Sequence, residues 1–223
     1  MFLRSLTIIV LLSAVAACSS SPKGGRQGGG PVGVNQPSAL LAKARDTQAQ
    51  QGCARAIPAY RIVSSYGAGY EVAQFELGAC LLEVATENTI EEALFRSEGL
   101  LWLRRAAWAG NPRAQGKLAE VLSGLKVFSD ERVASDPIEA MMWATIYDRN
   151  GSRNVFSLPD IPNPVINHIN GQLSPADLAL AHERAAEYRK IEMASFVAPE
   201  GARGQAGSRG EGQRPQGRRQ RRR

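Results

Sequence analysis

The chain has 223 residues, of which 43% are hydrophobic and 22% charged, and a formal net charge of +6. That length provides one ordinary domain with a real core and gives no sign of a second; about twelve apolar residues near the start are too few to span a bilayer. The positive charge is concentrated at one end. Residues 197–223 hold eight arginines against Glu200 and Glu211, a net of +6, whereas residues 37–196 hold nineteen acidic against sixteen basic groups, a net of −3.

Arg4 opens the chain with a positive charge, Leu6 to Ala17 form an apolar run, and Val15-Ala16-Ala17-Cys18 closes it with small residues that a signal peptidase accommodates. Residues 1–17 therefore read as a signal peptide. The stretch resembles the lipobox of bacterial lipoproteins, in which an aliphatic and two small residues precede a cysteine that becomes lipidated. The resemblance implies cleavage before Cys18 and a membrane anchor on that residue. With Ser19 in place of the Asp that marks retention, it implies the outer membrane and its periplasmic face. An ordinary secretory signal cut near Ala17 is the other reading. Residues 18–37, rich in Ser, Gly and Pro, have little to bury and read as a flexible tether.

Residues 38–196 form the folded domain. Apolar positions recur three and four apart in nearly every segment and no segment alternates strictly, so the domain is all-α. Ser38 to Gln51 and Cys53 to Tyr66 give a leading helix pair. A shift of 41 residues then lays the chain on itself, pairing Ala73-Gln74 with Ala114-Gln115, Leu77 with Leu118, Leu81 with Leu122, Glu98 with Glu139, Trp102 with Trp143, and Gly110 with Gly151. Small residues such as Gly78 and Ala114 let first helices approach their neighbours, and Trp102 and Trp143 are aromatic wedges on second helices. Gly110 and Gly151 are expected to stop helices in the left-handed conformation. Thr89 with Glu92, and Asp136 with Pro137 and Glu139, read as helix starts. Leu158 to Pro164, with three prolines, reads as irregular. Pro175 to about Met193 reads as a closing helix with Leu178, Ala181, Ala185 and Tyr188 on one stripe.

These residues carry a resemblance. Ala73-Gln74-Phe75-Glu76-Leu77-Gly78, Trp102-Leu103-Arg104-Arg105-Ala106-Ala107-Trp108-Ala109-Gly110-Asn111 and Ala114-Gln115-Gly116-Lys117-Leu118-Ala119 look like Sel1-like repeats, relatives of the tetratricopeptide repeat. Here the unit is longer than the family's, and Leu82 to Ile90 and Ser123 to Ser135 replace its glycine-rich turn. The resemblance implies a short α-solenoid of antiparallel helix pairs that scaffolds an unidentified protein partner in envelope assembly and catalyses nothing. Ala73, Leu77, Gly78, Trp102, Gly110, Ala114, Leu118, Trp143 and Gly151 are then structural. The repeat register places the polar Gln74, Glu76, Gln115 and Lys117 near one another as the partner-binding set.

Cys53 and Cys80 flank the turn Gly67-Ala68-Gly69 almost symmetrically, so a helical hairpin brings them to one height. A disulfide there stabilises the fold by about 3 kcal/mol; two buried thiols are the alternative. Neither His168 nor His182 has a ligand at metal spacing, and no phosphate loop or nucleophile elbow occurs, so no cofactor or metal is expected. Residues 197–223 lack the apolar content to order themselves. Their arginines, Arg214, Arg218, Arg219, Arg221, Arg222 and Arg223 densest, suit an anionic lipid, lipopolysaccharide or acidic polysaccharide, each worth about 1 kcal/mol near an anionic membrane. In a periplasm no nucleic acid is expected.

Overall fold

A computed structural model describes residues 37–127, 133–192 and 194. Residues 1–36, read above as signal peptide and tether and including Cys18, and the stretch read as the tail, with Arg214, Arg218, Arg219, Arg221, Arg222 and Arg223, lie outside the described residues. Within them are nine helices and no strand: α1 (Pro37–Gln51), α2 (Cys53–Ser64), α3 (Glu71–Glu83), α4 (Thr89–Trp108), α5 (Pro112–Leu122), α6 (Pro137–Arg149), α7 (Gly151–Val155), α8 (Asn163–Gln172) and α9 (Pro175–Glu187). Each of the first five packs on the next in the chain, and α8 and α9 both pack on α6.

Helix ends follow local chemistry. α4 closes in a Schellman motif: Gly110 takes φ +90°, its N–H donates to the Ala107 carbonyl at 3.0 Å, and the Asn111 N–H donates to the Ala106 carbonyl at 3.0 Å. Asn111 then caps α5 by accepting from the Ala114 N–H, with Pro112 in the first turn. Asp136 caps α6 through the Glu139 N–H at 2.9 Å, and Ser174 with Asp177 forms a full capping box on α9.

Three expected boundaries shift. α4 is capped by Asn88, whose side chain accepts from the N–H groups of Ile90 and Glu91; Thr89 sits inside the helix, and Glu92 turns to Arg96 instead of back to a cap. Gly151 is not a left-handed stop. α6 ends on an extended Asn150 whose side chain caps α7, so Gly151 becomes a helical residue. α9 ends at Glu187, because Tyr188 leaves the helix at ψ 129° and stacks on Trp108, ring centroids 5.4 Å apart.

Two apolar clusters flank α4. One gathers Ala44, Ala56, Ile57, Tyr60, Leu77, Leu81 and Trp102 from α1 to α4; the other gathers Leu103, Ala106, Leu118, Leu122, Trp143, Val165, Ile169 and Ala181 from α4 to α9. Cys53 and Cys80 are disulfide-bonded, their Cα atoms 5.0 Å apart. α2 and α3 run antiparallel about a turn with Gly67 and Gly69 both at φ +86°, which brings the first residue of one beside the last turn of the other. Pro58 lies inside α2 without preventing that register.

Candidate functional site

The repeat positions turn out to be joints. Trp102 donates its indole N–H to Glu98, and Glu98 accepts Arg61 Nε at 2.8 Å, tying α4 to α2. In the same way Trp143 donates to Glu139, which accepts Arg104 Nε at 2.8 Å, tying α6 to α4. Burial raises the affinity of both carboxyls for protons, but the hydrogen bonds from arginine and indole outweigh it and hold Glu98 and Glu139 below the ordinary carboxylate range. Tyr60, fully buried in the first cluster, donates to Gln48 at 2.6 Å; burial and the nearby Glu76 push its hydroxyl up to about 12.

Gln74 and Gln115, expected to face a partner, are fully buried. Gln74 Nε2 donates to the carbonyls of Ser64, the last residue of α2, and of Gly67 just beyond it, and Gln115 Nε2 donates to the Ala107 carbonyl near the end of α4 at 3.1 Å. Each glutamine adds a donor to carbonyls at the end of the preceding helix, where the helical ladder runs out of N–H partners and turn and side-chain donors take over. That role removes both from a partner's reach. Glu76 is held by a bidentate Arg45 from α1. Lys117 pairs with Glu120 at 3.6 Å and keeps a third of its side chain exposed, so of the four it is the most accessible.

A cleft forms where α4, α6, α7 and α9 converge, with a volume of about 460 Å³. Its apolar lining comes from Ile146, Ala185, Ala186 and Tyr188. Its rim holds Arg149, the last residue of α6, together with Ser152 of α7 and Lys190, which follows α9. The described residues that line it include two cations and no carboxylate, on a domain whose own charge is negative. Behind the cleft, Asn150 Nδ2 donates to Gln115 Oε1 at 2.8 Å and to the Gly110 carbonyl at 3.1 Å, and Tyr188 donates to the Ala107 carbonyl at 3.1 Å. These bonds fix the wall while leaving Arg149 and Lys190 exposed. The open space above Gly151 keeps the rim accessible. Such a volume suits a short peptide segment or a comparable ligand. Among the described residues no group of three or more His, Cys, Asp or Glu is placed to hold a metal.

Sequence reasoning missed this cleft because its residues come from four elements that share no motif. Gly110 and Gly151, which the 41-residue shift pairs as helix stops, both line it, for a different reason. No family model, curated protein or solved structure matches the chain.

Proposed function

We propose that this chain is a lipoprotein of the outer membrane's periplasmic face whose helix pairs form a short Sel1-like α-solenoid, and that the array is a docking scaffold for a protein partner. The observation that carries this reading is the recurrence of the same two joints: the Glu–Trp pair of each second helix and the glutamine laid on the preceding helix end return 41 residues on, and the arginine that completes the tie returns 43 residues on. Repeating one joint is how a solenoid extends a surface from a small unit. The lipobox-like Val15-Ala16-Ala17-Cys18 supports the anchor.

The cleft then supplies the docking point, and its Arg149 and Lys190 select an acidic segment with an apolar residue for the apolar lining. A fluorescence-anisotropy panel of acidic, neutral and basic peptides tests it. Acidic peptides are expected to bind in a salt-sensitive manner and to weaken roughly tenfold or more in R149E/K190E, in line with loss of about 1.4 kcal/mol or more. Binding that ignores peptide charge contradicts the reading.

The separation of charge favours a second reading, in which the Arg-rich tail grips an anionic lipid, lipopolysaccharide or polysaccharide and the helical array is a spacer. Deleting residues 199–223 discriminates: loss of salt-sensitive polymer or membrane binding favours the spacer, and an unchanged partner set favours the scaffold.

A further inference from the structure

Helix α4 is apolar on both sides. Its inward side, including Gly99, Trp102, Leu103, Ala106 and Ala107, is buried. On the opposite side Ile90, Leu94 and Leu101 are 72%, 64% and 58% exposed. Separations of four and seven residues put these three on one narrow stripe. Charged residues occupy the flanks between the two sides, and three large apolar side chains exposed in one row form the kind of patch that another segment covers.

The chain after α9 points to one. It lies against the carboxyl end of α4: the Tyr188 ring stacks on Trp108 and its hydroxyl donates to the Ala107 carbonyl, the Ile191 N–H donates to the Trp108 carbonyl at 2.9 Å, and the Arg105 guanidinium donates to the Ala194 carbonyl. Residue 191 against 108, then 194 against 105, is an antiparallel course toward Leu101. An extended chain advances ~3.3 Å per residue and a helix rises ~1.5 Å per residue. Counted from the backbone contact of Ile191 with Trp108, an extended chain would bring Phe196 between Leu101 and Leu94 and Val197 level with Leu94. Phe196 and Val197 are the only large apolar residues between 195 and 223. Past them the same course leads toward the amino end of α4, where Glu91 and the preceding Glu87 are exposed, and the next charges of the chain after Glu200 are Arg203 and Arg209.

We propose that Phe196 and Val197 dock on the Leu101–Leu94–Ile90 stripe of their own chain, and that this strap delivers the Arg-rich tail to the acidic amino end of α4. The outer face of α4 is then an internal interface, distinct from the cleft at Arg149 and Lys190. The strap also fixes where the tail leaves the domain. This assignment does not depend on what the cleft or the tail binds.

The test uses the full chain carrying Leu94→Cys and Val197→Cys, oxidised mildly and mapped by peptide mass spectrometry, which separates the new link from the native Cys53–Cys80 bond. The expected product is a link within one chain whose yield is unaffected by dilution and falls about fivefold or more when the second cysteine is moved to Ser208. As an independent readout, alkylation of Leu94→Cys alone is expected to accelerate about fivefold when Phe196→Asp and Val197→Asp are added. A link that forms only between two chains assigns the stripe to a second copy and overturns the proposal. So does equal linking from Ser208→Cys, or an alkylation rate indifferent to the two aspartates.

Discussion

Gly78 and Gly99 meet where α3 crosses α4, and a side chain has no room at either. A methyl on Gly78 would stand 2.8 Å from Leu103 Cγ and 2.9 Å from the Gly99 carbonyl oxygen. Backbone cannot step aside cheaply, so Gly78→Ala is expected to cost about 1–3 kcal/mol, read as a lower urea midpoint at unchanged slope. Gly78 was legible because it belongs to a recurring motif; Gly99 was not, since nothing in helical periodicity marks the residue opposite a crossing. The two glutamines teach the reverse lesson. A polar side chain recurring beside apolar ones reads as solvent-facing, but its true partners are helix-end carbonyls that periodicity does not reveal. Gln115→Ala strips the Ala107 carbonyl and Asn150 of a partner inside the protein, with an expected cost of about 1–3 kcal/mol by the same measurement. Glu98 and Glu139 add a pH dependence of definite sign. Their folded-state proton affinity is depressed, so their contribution is complete above the ordinary carboxylate range and is lost as pH falls through the lower folded values. Urea midpoints are expected to fall below about pH 4, and to fall less steeply in Glu139→Gln.

Helices were the most legible level and their ends the least. Composition and spacing made the domain all-α, and Asp136 and Gly110 identified two ends in agreement with the structure. Where tertiary partners compete for a side chain, local reading gave way. Glu92 serves Arg96 instead of a cap, Asn150 serves Gln115 and Gly110 and so carries Gly151 into a helix, and Tyr188 abandons α9 for the Trp108 face. The α2–α3 hairpin shows local chemistry and packing agreeing. Two left-handed glycines set the turn, and the disulfide ties the far ends of the pair across a separation of 27 residues. Replacing both Cys53 and Cys80 with Ala is expected to cost about 3 kcal/mol, a drop on the order of 10 °C in melting temperature by calorimetry. An unchanged melting temperature would remove the disulfide from the account of stability.

At the scale of the whole molecule, charge divides the chain into an acidic helical array and a basic tail. The proposed lipid on Cys18 and the proposed tail contacts would then hold the array from opposite ends of the sequence. Cys18→Ser is expected to move the protein from the membrane to the soluble fraction and to abolish incorporation of labelled palmitate; labelling that persists would refute the anchor. No residue pattern announced the cleft, because its cations, Arg149 and Lys190, converge only after α6 and the segment beyond α9 are packed together. It is also where the scaffold reading is most exposed to test. The decisive measurement is site-specific photo-crosslinking in intact cells from Ser152 on the cleft rim, with His168 on α8 as the control position. The expected result is a discrete protein adduct from Ser152, absent from His168 and lost in R149E/K190E; an adduct no stronger than the control, or one indifferent to the charge reversal, would contradict it.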